Sequence, residues 1–182
     1  MVNIYKLKLT NLQRETLRLL YIKAGTTLNQ RHIAKKINVS PPAITKALPG
    51  LEKAGFIKIF QDKETKRWSI ELNRENHKIM QLKRVDNLQQ VYESGLADFL
   101  EKECAGATIV LFGSYSRGDD TVTSDIDVAI IGRKEKQVHT AKYEMILERK
   151  IHMSFYESWQ KIHKNLKENL CNGIILTGGV EL

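Results

Sequence analysis

Two aspartates one residue apart, Asp125 and Asp127, stand at the head of the apolar run Ile126, Val128, Ala129, Ile130 and Ile131. The alternation predicts a strand that turns Asp125 and Asp127 to one face and Ile126, Val128 and Ile130 to the other. Aspartate is depleted in strands, and two like charges on one face repel unless a cation lies between them. A divalent metal supplies that charge, and Mg²⁺ (or Mn²⁺ in its stead) suits a site of one or two carboxylates completed by substrate phosphates. A solvated edge strand is the alternative for an isolated Asp-x-Asp.

The aspartates are not isolated. The apolar run Ala107 to Phe112 has the character of a buried strand and leads into Gly113-Ser114-Tyr115-Ser116-Arg117-Gly118. Glycine permits a sharp turn. A helical turn after it aims free N–H groups at an anion, with the Ser114 hydroxyl beside them. Arg117 is either a phosphate contact or a surface arginine. A spacer of ten residues, Tyr115 to Ser124, then leads to Asp125. Farther on, Ile151, Met153 and Phe155 alternate as core positions of another strand, which leaves His152 and Ser154 on the opposite face. Histidine serves as a base or as a metal ligand.

This composite of Gly-Ser, ten residues and Asp-x-Asp resembles the signature of the polymerase β-like nucleotidyltransferase superfamily. The likeness to its minimal, antitoxin-like branch spans about residues 95–180. It implies that Gly113, Ser114 and Arg117 hold the phosphates of an NTP, with ATP as the expected nucleotide, and that Asp125 and Asp127 bind the metal. Active members usually present a third carboxylate on the next strand, and here that position falls at His152; Glu148 lies near in sequence, at the end of the preceding helix. Two readings follow. In one the domain is an enzyme that moves AMP onto an acceptor hydroxyl, with a partner toxin of the HEPN type as one acceptor. In the other, catalysis is lost and the domain is an NTP or metal sensor, or a scaffold.

The elements that precede this module are of a different kind. The first 78 residues hold 16 Lys/Arg against 6 Asp/Glu, a net of +10, whereas the remaining 104 hold 13 against 15, a net of −2. A basic module suggests a polyanion partner. Thr10 and Gln13 form a capping box for a first helix. Asn29 caps a second, with Ile33, Ala34 and Ile37 inward. Ser40 caps a third, with Pro41 at its first position and Gly55 beyond its end. Strands at 56–60 and 67–72 follow, joined by a basic tip. Pro49 lies inside the third helix and predicts a kink or break near Leu48.

Three short helices and a hairpin resemble the winged helix-turn-helix of microbial transcription regulators over about residues 8–74. That resemblance implies double-stranded DNA as partner. Ser40, Pro42, Ala43, Thr45 and Lys46 would then face base edges, and Arg31, Lys35, Lys63, Lys66 and Arg67 would face phosphates. Few of these side chains make bidentate base contacts, so strong sequence discrimination is not expected.

The expected fold is therefore α+β in two domains. A winged helix occupies 1–75, a helical connector 76–104, and an α/β nucleotidyltransferase-type domain with a mixed sheet 105–182. The connector carries Ile79, Leu82, Val85, Leu88, Val91, Tyr92, Leu96 and Leu100 as an apolar stripe suited to packing or to a homodimer face. The tail predicts a helix from Glu157 to about Asn169 and a strand over 173–178. No apolar run reaches the roughly 18–20 residues of a membrane span, and no secretory leader is evident at the N-terminus. Cys104 and Cys171 match no metal-ligand spacing; the expected location is the cytoplasm, with no membrane partner.

Overall fold

The computed structural model describes residues 8–61, 63 and 67–180, and the chain divides into two compact units, 1–79 and 80–182. Among the described residues no helix is long and apolar enough to cross a membrane.

In the first unit the helices α1 (Asn11–Ile22), α2 (Gln30–Lys36) and α3 (Pro41–Lys53) precede the hairpin β1 (Ile57–Gln61) and β2 (Trp68–Leu72). Thr10 and Gln13 close the capping box of α1, and the Asn29 side chain accepts from His32 N–H at 2.8 Å to start α2. Ser40 begins α3 in extended backbone, but its side chain makes no capping bond there. Leu17, Leu20, Ile33, Ile44, Leu48, Leu51 and Ile70 are almost wholly buried, the expected inward set of the three helices and the second strand. Leu28 pairs with Ile70 through two backbone bonds, of 2.8 and 2.7 Å, and so ties the α1–α2 turn to the wing.

The break expected at Pro49 does not occur: α3 runs from Pro41 to Lys53 with Pro49 inside it. A proline costs the helix the bond to the carbonyl four residues earlier, here that of Thr45. Burial of Ile44, Ala47, Leu48 and Leu51 on both sides of it holds the helix together. Gln13 adds a bond from outside, donating its Nε2 to the Ala47 carbonyl at 3.1 Å. A Cβ on Gly50 would lie 2.5 Å from that Nε2, so a glycine is what lets Gln13 approach.

The second unit contains most of α4 (His77–Glu93), then α5 (Leu96–Glu103), β3 (Thr108–Phe112), the one-turn α6 (Gly113–Arg117), β4 (Ile126–Ile131), α7 (Ala141–Leu147), β5 (Ile151–Tyr156), α8 (Lys164–Cys171) and β6 (Ile174–Thr177). The four strands form a mixed sheet in the order β5-β4-β3-β6, antiparallel between β3 and each of β4 and β6, parallel between β4 and β5. Both faces are covered. Ile126, Val128 and Ile130 pack with Val91, Leu96, Leu100 and Leu147 on one side, while Ala129 and Ile131 pack with Trp159, Ile162 and Leu170 on the other. The parallel β4–β5 pair is connected through α7, as parallel strands require a crossover.

Two expectations need correction. The tail is not helical from Glu157. A 3₁₀ turn, Trp159–Lys161, comes first, His163 restarts the chain in extended backbone, and the helix proper begins at Lys164. Burial of Trp159 and Ile162 against the sheet overrides the local helical preference. Along α4 the buried positions are Ile79, Lys83, Asn87 and Val91, four residues apart, whereas Val85 and Tyr92 are exposed. The apolar stripe read from the sequence is rotated, because Lys83 and Asn87 have buried partners described below.

Candidate functional site

β3 ends at Phe112 and the chain turns at once into α6. Gly113 makes that turn with φ +72°, a left-handed conformation that glycine adopts without cost. It is also there for space: a Cβ on Gly113 would lie 2.2 Å from Oδ2 of Asp127. The Asp127 carboxylate therefore rests on the backbone at the start of α6. The register explains how, since Phe112 pairs with Asp127 across β3 and β4. On its other side Asp127 pairs with His152 of β5. Strand pairing thus brings the Gly-Ser turn, the aspartates and His152 to one end of the sheet.

Asp127 is half-buried, while Asp125, Arg117 and His152 are exposed around it. Burial pushes the Asp127 carboxyl above the ordinary aspartate value; the charge of His152 opposes that rise, Asp125 adds to it, and Arg117 opposes it. A carboxylate that resists ionisation for want of a counter-charge is an acceptor for a cation. The donor set is oxygen with one imidazole and no thiolate, which suits a hard divalent metal. Among the described residues, no three His, Cys, Asp or Glu side chains converge as a ready-made metal cage. Asp125 and Asp127 would hold such a metal, and its remaining ligands would come from phosphate and water.

Ser114 is half-buried on the first turn of α6. Ser116 donates to the Gly113 carbonyl at 2.9 Å and stiffens the turn. Arg117 pairs through Nε with Asp119 at 3.2 Å, both about half exposed, so an incoming phosphate would compete with a weak surface ion pair. Beside Asp125 lies a cleft of about 470 Å³, lined by Val122, Ala141, Glu144, Met145, Glu148 and Arg149 among others. Glu148 caps the C-terminus of α7 in left-handed backbone, φ 50°, and is exposed there. A larger cleft, about 590 Å³, opens at the opposite end of β3 beside Thr108 and Trp159, away from the aspartates.

A buried cluster, which the sequence did not announce, underlies this site. Asp120 accepts from Lys83 and, at 2.7 Å, from Asn87 at the same Oδ1, while Arg149 lies 3.5 Å from Oδ2. Asn87 also donates to the Tyr115 carbonyl of α6 at 2.9 Å. Burial draws the Lys83 ammonium below its ordinary value, and the Asp120 charge acts against that shift. The four-residue rhythm from Ile79 to Val91 was the one sequence signal that these positions face inward.

In the first unit, Ser40, Pro42, Thr45 and Lys46 are exposed at the start of α3, and Ala43 is half-buried. Thr45 donates its hydroxyl back to the Pro41 carbonyl at 3.1 Å, which engages that donor within the helix. Arg31 and Lys35 are exposed on α2, as are Lys63 and Arg67 in the wing, whereas Lys66 lies outside the described residues. Trp68, at the wing, is 54% exposed.

Residues 94–175 match the nucleotidyltransferase domain family, and residues 9–68 match the MarR family. Solved structures similar to the chain include two of MepR and one of ZitR. A mutant MepR from a multidrug resistant S. aureus clinical isolate is 32% identical, with 40% of this chain and 53% of that chain covered, at a TM-score of 0.36. The S. aureus MepR-DNA complex is 26% identical over 52% and 77%, at 0.39. A mutant of Lactococcus lactis ZitR is 25% identical over 56% and 70%, at 0.39. The match thus spans about half the length of the first of these relatives. No curated protein matches the chain.

Proposed function

We propose that this chain, which joins a MarR-family winged helix to a nucleotidyltransferase domain, is a DNA-binding regulator whose second unit moves AMP from ATP to an acceptor hydroxyl. The observation that carries the transfer reading is the seat of Asp127 on Gly113 at the mouth of α6. It brings a metal-binding carboxylate against a turn whose N–H groups suit a phosphate chain.

The chain's own residues divide the work. Gly113, Ser114 and the N–H groups of α6 hold and orient the phosphates, with Arg117 exchanging Asp119 for one of them. Asp125 and Asp127 hold Mg²⁺ (or Mn²⁺), which when bound neutralises charge on the phosphates and on the departing pyrophosphate. The acceptor oxygen bonds to the α-phosphorus as the bond to the β-phosphate oxygen breaks. The acceptor proton passes to His152, which stands beside Asp127, or to water. Positioning and electrostatics dominate in transfer at phosphorus. A hydroxyl on a partner protein, such as a HEPN-type toxin, is an acceptor of suitable chemistry, and the cleft beside Asp125 has room for one.

The first unit is proposed to bind double-stranded DNA as a homodimer, which the reading of paired half-sites requires. Its support is the +10 charge of the first 78 residues and the exposure of Arg31, Lys35, Lys46, Lys63 and Arg67.

His152 favours a second reading as well. An imidazole, not a carboxylate, faces Asp127, so the domain also suits a role in which bound nucleotide is sensed without turnover. Titration with ATP, with and without Mg²⁺, tests the shared premise: binding is metal-dependent in the intact protein and lost in Asp125→Ala/Asp127→Ala. Label from the α-phosphate of ATP arriving on a hydroxyl then supports transfer. Nucleotide-dependent DNA affinity with no label transferred supports sensing.

A further inference from the structure

Three segments of the second unit meet at one carboxylate that the reaction itself does not use. Asp120 is 1% exposed, and Lys83, Asn87 and Arg149 are 0, 5 and 5% exposed. Lys83 and Asn87 come from α4, Asp120 from the loop between α6 and β4, and Arg149 from the corner between α7 and β5. Each side chain has a place in the site's framework. Asn87 fixes the Tyr115 carbonyl within α6. Arg149 donates to the Glu148 carbonyl at 3.0 Å and precedes Lys150, whose carbonyl accepts from Ile126 N–H at 2.8 Å. Downstream of Asp120, Thr121 and Ser124 bond to each other, N–H to Oγ at 2.9 Å and N–H to carbonyl at 3.0 Å. That closed turn hands the chain directly to Asp125. Gly118 completes the clamp, since a Cβ there would lie 2.8 Å from the Met80 carbonyl and from the Arg84 nitrogen of α4.

We propose that Asp120 is a positioning residue for the nucleotide site: through Lys83, Asn87 and Arg149 it fixes the Gly-Ser turn and Asp125 at the separation that one metal–triphosphate complex spans. The inference rests on the nucleotide reading given above. A surface loop of this length would otherwise carry Asp125 on a mobile tether. The burial is costly in itself, for three ionisable side chains leave water together. Stability alone is more simply served by apolar side chains of similar volume. Lys83 and Asn87 donate to one oxygen of Asp120 and Arg149 stands beside the other, which gives a defined geometry, because hydrogen bonds to an ionised group prefer one length and direction.

The test separates position from stability. Asp120→Asn removes the carboxylate that Lys83 and Arg149 face and is expected to weaken the fold. Lys83→Met/Asp120→Asn restores the original net buried charge while removing the carboxylate hub. The double variant is expected to recover thermal stability relative to Asp120→Asn. The enhancement of ATP affinity by Mg²⁺ should fall at least tenfold, and amide exchange over Thr121–Ile126 should quicken at least tenfold, with the sheet unchanged. A double variant with unchanged exchange and the full Mg²⁺ enhancement overturns the proposal and leaves the nucleotide reading intact. An intact protein that binds no ATP at all removes that reading and this one together.

Discussion

His152 stands directly opposite Asp127 in the parallel register of β4 and β5. The register thus puts an imidazole, not a carboxylate, beside Asp127. His152→Asp should raise affinity for Mg²⁺ or Mn²⁺ about tenfold or more, since a hard cation gains an oxygen ligand. The transfer reading expects the change to raise turnover with Mg²⁺. Metal titration by calorimetry and labelled-ATP transfer measure the two effects; weaker metal binding in the variant would count against the metal site.

Gly113 admits no side chain. Alanine there meets Asp127 and must also hold φ near +72°, a strain of about 1–3 kcal/mol for a residue with a Cβ. Gly113→Ala should lower the unfolding free energy by about that amount and abolish metal-dependent ATP binding. Denaturant unfolding and ATP titration check both halves, and an alanine variant with normal metal-dependent binding would refute the proposed seat.

The raised pKa of Asp127 makes a statement about stability. Its folded value lies above its unfolded value because of burial, with Asp125 adding to the shift. The contribution from protonated Asp127 is therefore complete below the unfolded value and is lost as pH rises through the folded one. Above that folded value the metal-free protein carries an ionised carboxylate that the site disfavours. Asp127→Asn should raise the metal-free Tm by about 1–3 °C. Mg²⁺ should stabilise the intact protein and leave the variant unmoved, which thermal melts across pH 4–8 (approximately the useful window) will show.

DNA affinity should fall steeply with salt. Each phosphate contact removed by Arg31→Ala or Lys35→Ala should reduce the slope of log affinity against log salt by about 0.9. The tryptophans provide an optical readout: Trp68 is 54% exposed in the wing and Trp159 only 9% in the second unit. Quenching on DNA addition that vanishes in Trp68→Phe would place the wing at the duplex, and quenching that survives would place the response elsewhere.

Pro49 deprives the Thr45 carbonyl of its helical donor within an otherwise continuous α3. Pro49→Ala should stabilise the first unit by about 1–3 kcal/mol. It should not change DNA affinity, because the exposed residues at the start of α3 precede it. Chemical denaturation against binding isotherms tests the separation.

Much of this architecture was legible from residues that act locally. The Thr10–Gln13 box, Asn29 and Pro41 mark helix starts by bonds within one turn, and alternation on β5 was enough to turn His152 away from the core. The Asp-x-Asp and Gly-Ser elements were legible because few other contexts place such residues at strand ends. Lys83 and Asp120 were not, since 37 residues separate them and each alone reads as a surface charge. Trp159 misled for a related reason, for it is the sheet face beneath it that unwinds the expected helix.

The buried link between α4 and Asp120 also bears on how this chain is modular. The segment that matches the nucleotidyltransferase family begins at residue 94, after Lys83 and Asn87. A fragment cut there would keep Asp120 in its core with Arg149 but without Lys83 and Asn87, the two side chains that hydrogen-bond to it. Exchange of this domain with another fusion partner is therefore expected to succeed only when the junction lies upstream of Lys83. The helix that spans the boundary of the two units belongs with the second and cannot be swapped as a neutral spacer.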